Sequence, residues 1–133
     1  MRAIDPWFGL SSTTEAAKTV VVVGCPFGSN QAFRSGAEAG PSAIREWACT
    51  AEAINEVGCP IRDIRVIDCG DVGPAEATGE ERWEAIVDAG TRALEENPNA
   101  FLLGLGGDHS VTPPLATAAR NVLGEMAFIL LDA

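Results

Sequence analysis

Apolar runs and apolar stripes alternate along this chain, and the alternation predicts its elements. Val20-Val21-Val22-Val23 places four β-branched residues in a row, which suits a strand covered on both faces. Ile64-Arg65-Val66-Ile67, Ala100-Phe101-Leu102-Leu103 and Ala127-Phe128-Ile129-Leu130-Leu131 are further runs of strand length. Between them apolar residues recur at helical spacing. One stripe is Ile44, Trp47, Ala48, Ala51 and Ile54; another is Trp83, Ile86, Val87, Gly90 and Leu94; a third is Val111, Leu115, Ala118, Ala119 and Val122. Strands are therefore expected near 19–24, 64–68, 100–104 and 127–131, and helices near 41–56, 80–96 and 112–123. The order β-α-β-α-β-α-β implies right-handed crossovers and an all-parallel sheet. The expected fold is α/β, a three-layer α/β/α sandwich with helices on both faces of the sheet.

Punctuation residues agree with these boundaries. Pro41 suits the first turn of a helix, and Gly58 and Pro60 are expected to stop that helix. Glu80, Glu81 and Glu84 sit where a helix dipole favours acids, and Asn97-Pro98-Asn99 ends the same segment. Residues 24 to 40 form a long irregular stretch with Pro26, four glycines and Arg34, and loops of that length are usually functional or mobile. Residues 1–18 read as an extended arm carrying Trp7, Phe8, Leu10 and the loop-like Ser11-Ser12-Thr13-Thr14. The organisation expected is an arm, 1–18, and one α/β unit, 19–133, with no internal repeat.

The chemistry concentrates after the run at 100–103. Gly104-Leu105-Gly106-Gly107-Asp108-His109-Ser110-Val111-Thr112 turns through three glycines and delivers the single histidine of the sequence. Ser110 or Thr112 is expected to cap the helix that follows. His109 should then stand where a buried strand ends and a helix begins, and open α/β sheets bind ligands outside the carboxyl ends of their strands. A lone histidine is more often a satisfied polar group than a metal ligand. Two features favour function here. Three glycines imply a positive φ or a close backbone approach. The run at 127–131 also ends in an acid, Asp132, so His109 and Asp132 would begin a nitrogen and oxygen metal site.

Gly106-Gly107-Asp108-His109-Ser110-Val111-Thr112 resembles the first signature of the ureohydrolases, the arginase/agmatinase family. Leu130-Leu131-Asp132-Ala133 resembles the opening of that family's second signature, Asp-Ala-His-x-Asp, and the sequence stops one residue before the expected histidine. Gly24-Cys25-Pro26-Phe27, Arg34-Ser35-Gly36-Ala37, Gly40-Pro41-Ser42-Ala43-Ile44-Arg45 and Asp68-Cys69-Gly70-Asp71-Val72 also fit. The resemblance implies a truncated arginase-like fold and a binuclear manganese (Mn2+) site. Its bridging hydroxide attacks a guanidinium carbon, releasing urea and an amine; two divalent ions make hydroxide available near neutral pH. By the same resemblance His109 is the single histidine ligand of one metal, Asp132 is the bridging aspartate, and Asp108 is a neighbour. The other ligands of the family follow Ala133. Two ligands cannot hold a metal pair, so the expected identity is the N-terminal part of an agmatinase-like ureohydrolase, inactive as these 133 residues alone. The resemblance further implies a homo-oligomer, trimer or hexamer, with a role in polyamine metabolism.

The long loop departs from the agmatinase pattern. Pro26-Phe27-Gly28 stands where such enzymes commonly have Pro-x-Asp, and Arg34-Ser35-Gly36-Ala37-Glu38 where they have Arg-x-Gly-x-Arg. The spacing from Pro26 to Arg34 still fits agmatinases better than arginase proper. Agmatine, a guanidino acid and formiminoglutamate are the candidate substrates.

Composition trims the alternatives. With 9 Lys and Arg against 19 Asp and Glu, the net charge is −10, which argues against a nucleic-acid footprint and mildly favours a cationic or zwitterionic guanidino substrate. Cysteines at 25, 49, 59 and 69 lack metal-binding spacing and read as reduced thiols of a cytoplasmic protein. Neither a signal peptide nor a membrane span is expected. A dinucleotide-binding loop is disfavoured because Gly104-x-Gly106-Gly107 is not Gly-x-Gly-x-x-Gly. A serine hydrolase at Ser110 lacks both Gly-x-Ser-x-Gly and a second histidine. A non-catalytic chain that acts only through assembly stays open.

Overall fold

The computed structural model describes residues 7, 8, 10, 18–28, 35–73 and 76–131. Three strands form a parallel sheet in the order β2-β1-β3: β1 is Lys18–Cys25, β2 Ile64–Asp71 and β3 Phe101–Gly106. The helices are α1 (Gly40–Ala48), α2 (Gly79–Glu95) and α3 (Thr112–Leu123). Short 3-10 turns at Ala37–Ala39 and His109–Val111 lead into α1 and α3. The valine run occupies the central strand, as its unbroken apolar character requires.

The two faces of β1 feed two cores. Val21, Val23 and Cys25 pack with Phe27, Ile86, Ala93, Leu94 and Val111, beneath α2 and α3. Val22 faces the other way and packs with Trp7, Ala48 and Leu105, beneath α1. This is the three-layer arrangement expected from the pattern. Close passage of α2 over α3 depends on Gly90, since a Cβ there would lie 2.8 Å from that of Ala118.

Two expectations need correction. The first concerns α1, which stops at Ala48 rather than continuing to 56. In a longer helix the Ala48 carbonyl would accept from the backbone N–H of residue 52; here it accepts from Phe8 N–H at 2.9 Å. Beyond it, Asn55 Oδ1 accepts from Val57 N–H at 3.2 Å and Cys59 N–H at 2.8 Å, folding 54–60 into a tight reversal. The inward face of α1 is Pro41, Arg45 and Ala48, whereas Trp47 is 74% and Ile44 44% exposed.

Residues 127–131 are the second correction, because they are not a strand. Phe128, Ile129, Leu130 and Leu131 are 60–88% exposed. Phe128 lines a cleft with Leu102, Gly104, Leu115 and Ala119 instead of pairing with the outer edge of β3. An apolar run needs cover, but a strand also needs a partner's N–H and C=O groups, and none of the described residues supplies them.

Within the arm, Trp7 is only 4% exposed and completes the core under α1.

Candidate active site

The carboxyl ends of β1 and β3 are laced together beyond the sheet. Gly107 N–H donates to the Cys25 carbonyl at 3.2 Å, and Asp108 N–H donates to the Phe27 carbonyl at 2.8 Å. Gly107 is glycine because of this contact: a Cβ there would lie 2.2 Å from the Phe27 oxygen and 3.0 Å from the Ala37 oxygen. None of Gly104, Gly106 and Gly107 has a positive φ, so of the two reasons for a glycine turn, close approach is the one at work.

His109 opens the 3-10 turn that follows and is exposed. The expected cap is displaced by one turn. Asp108, not Ser110 or Thr112, caps this segment: its Oδ1 accepts from Ser110 N–H at 2.9 Å and from the Ser110 hydroxyl. Thr112, followed by Pro113 and Pro114, continues the turn into α3. His109, Asp108, Gly106, Gly107 and Thr112 rim a cleft of about 620 Å³ whose floor is Leu102, Gly104 and Leu115. The single histidine therefore stands at a strand's carboxyl end, beside a cleft, as expected.

Its proposed partner cannot be placed: Asp132 lies outside the described residues, as does Arg34. Among the described residues no three His, Cys, Asp or Glu side chains converge on one point. The described residues alone thus do not fit a metal pair; they offer one imidazole, next to a carboxylate already engaged with Ser110.

A second polar cluster lies at the end of β2, and sequence reasoning missed it. Arg45 Nε donates to Asp68 Oδ2 at 2.7 Å, Nη2 to Asp68 Oδ1 at 2.9 Å, and Nη1 to Asp71 Oδ1 at 2.5 Å. Trp7 Nε1 donates to Asp68 Oδ2 at 3.0 Å and Gly70 N–H to Oδ1 at 2.9 Å. Asp68 is held below the usual carboxylate range: burial pushes it up, but the Arg45, Gly70 and Trp7 hydrogen bonds and the Arg45 charge outweigh that. Arg45, bonded by Asp68, is pushed above its ordinary value despite partial burial. Buried Cys25 is pushed up to about 12, by burial first and then by the Asp71 charge. The signal for this cluster was present as an arginine on the inward face of a helix, but the face was read at 44, 47 and 48.

A family model described as the arginase family matches residues 18–133. This chain belongs to the arginase family. An arginase of Glycine max is 34% identical over 123 residues, 86% of this chain and 35% of that protein. An N(1)-aminopropylagmatine ureohydrolase of Thermus thermophilus is 31% identical over 127 residues, 95% of this chain and 43% of that protein. Among solved structures, a hypothetical agmatinase from Burkholderia thailandensis superposes with a TM-score of 0.68 at 33% identity, over 86% of this chain and 36% of that one. This chain thus spans well under half the length of these relatives. The arginase-like α/β fold expected from the signatures is the fold observed.

Proposed function

We propose that this chain is the N-terminal part of an agmatinase-like ureohydrolase. Within a longer protein it would take part in metal-dependent hydrolysis of agmatine or a guanidino acid to urea and an amine. The observation that carries the reading is His109, standing in a Gly-Gly-Asp-His-Ser turn at the carboxyl end of β3 beside an open cleft. In this reading His109 would offer one imidazole and Asp132 one carboxylate to a manganese pair whose other ligands come from the longer protein. Such a pair would make hydroxide available near neutral pH. The rest of the chain sets the imidazole's place: Asp108 and Gly107 tie its turn to β1, and α3 closes the cleft wall. Family members named for arginine, for an agmatine derivative and for agmatine support a guanidino substrate as a class.

Gly28 and Glu38 favour a second reading within the same family, a formiminoglutamase, because both remove features common in agmatinases. One experiment separates the two. The product of the full reading frame that carries these residues is loaded with Mn2+ and offered agmatine, a guanidino acid and formiminoglutamate. Urea from either of the first two supports the proposal. Cleavage of formiminoglutamate alone transfers the protein to the second reading, and turnover of none would overturn both. Residues 1–133 by themselves are expected to release no urea, with or without His109→Ala.

A further inference from the structure

We infer that Phe27 is a positioning residue for His109 and that Arg82, on α2, holds Phe27 in that role; the inference rests on the reading of His109 as the functional group of the site. Hydrogen bonding between β1 and β3 continues past both strand ends, to Cys25 and then to Phe27. Phe27 reaches its place through a tight turn, its own N–H donating to the Cys25 carbonyl at 2.8 Å. It has two engagements, one through its backbone and one through its ring. Its carbonyl accepts from Asp108 N–H at 2.8 Å, the amide immediately before His109. Its ring is 2% exposed, in the core beneath α2 and α3, with the Arg82 guanidinium carbon 5.0 Å from the ring centroid.

Ser110 N–H to Asp108 Oδ1 and Thr112 N–H to the His109 carbonyl shape the turn itself. The bonds to Cys25 and Phe27 fasten it to β1, and the Phe27 bond is the nearer of the two to His109. A ring seated under a guanidinium has fewer orientations open to it, so its backbone carbonyl is held more tightly. Any apolar side chain could fill the core at this point, but only an aromatic one can be held by Arg82 in this way. α2 is thereby coupled to a histidine it does not carry.

The test is amide hydrogen exchange by NMR on the full chain, with Val22 in the central strand as the internal reference. Arg82→Met should speed exchange at Asp108 by about tenfold, the scale of one weakened hydrogen bond, and leave Val22 unchanged. It should also shift the His109 amide resonance but not that of Leu103. Arg82→Lys should restore most of the protection. Phe27→Leu should match Arg82→Met, and combining the two should add nothing. Equal acceleration at Asp108 and Val22 would make Phe27 an ordinary core residue and overturn the inference. So would unchanged exchange at Asp108 in both Arg82→Met and Phe27→Leu. These readouts involve neither metal nor substrate, so a failed urea assay with this exchange pattern intact would remove only the reading of the reaction.

Discussion

Arg45 grips Asp68 through two parallel hydrogen bonds, Nε to Oδ2 at 2.7 Å and Nη2 to Oδ1 at 2.9 Å, with both side chains 18% exposed. The pair fastens α1 to the end of β2, and Trp7 joins it from the arm. A paired guanidinium and carboxylate this far out of water contribute more than a surface ion pair, because the planar fork matches the carboxylate and solvent competes less.

The pair makes stability depend on acid. Asp68 has a folded pKa below its unfolded value. Its contribution is therefore complete above the unfolded value, near ~3.9, and is lost as pH falls through the lower folded value. Urea midpoints measured from about pH 5 down to about pH 2 should drop more steeply for the parent than for Asp68→Asn. Above about pH 5 the variant should be less stable by roughly 1.5–3 kcal/mol, the range for a hydrogen bond to a charged group. Parallel pH profiles for the two proteins would contradict this.

Trp7 should matter as a core residue although it lies in the arm. Trp7→Ala removes the largest side chain of the core under α1 and should cost about 3–5 kcal/mol, a large share of a typical domain's stability. Trp7→Phe keeps most of the packing and deletes the bond to Asp68, for a loss of roughly 1–2 kcal/mol. Chemical denaturation followed by far-UV circular dichroism measures both; equal losses would mean that the indole N–H, not the packing, is what counts.

Gly107→Ala should be far worse than its size suggests. The added methyl would sit 2.2 Å from the Phe27 carbonyl oxygen, a backbone atom that cannot swing aside. The loop or the end of β1 must move, at a cost of about 1–3 kcal/mol for the displaced packing. Thermal unfolding gives the loss, and amide shifts at Asp108 and His109 locate it. A variant as stable as the parent, with both shifts unchanged, would mean that Gly107 has room for a methyl group beside Phe27.

The four cysteines are thiols of unequal reactivity. Thiolate is the reactive form, so a raised pKa slows alkylation near neutral pH. Cys25, buried and pushed up to about 12, should resist iodoacetamide until the chain unfolds. Cys69 is exposed but its thiol is raised by desolvation and by the charges of Asp68 and Glu96, so it should label sooner than Cys25 yet more slowly than an unperturbed thiol. Mass spectrometry of partly labelled protein gives the order, and early labelling of Cys25 would show the core under α2 and α3 to be open.

The sequence by itself determined strands near 19–24, 64–68 and 100–104, helices near 80–96 and 112–123, and the place of His109; the structure has these elements at 18–25, 64–71, 101–106, 79–95 and 112–123. Each of these is a local consequence: an apolar run or stripe of the right period, bounded by glycine, proline or a capping side chain. The signature around His109 was legible for the same reason, since its glycines, acid and histidine are neighbours in the chain. Contacts between distant segments decided the rest. The α1 helix ends where Phe8 takes the Ala48 carbonyl, an event 40 residues away in sequence that no periodicity records. Arg45 faces inward because Asp68 and Asp71 wait at the end of another strand. Residues 127–131 have a strand's composition, yet composition states only a need for cover. Whether they become a strand depends on which backbone lies beside them, and among the described residues none does. Asp108 rather than Ser110 caps the turn, because Phe27 fixes the Asp108 amide and leaves its carboxylate to reach forward.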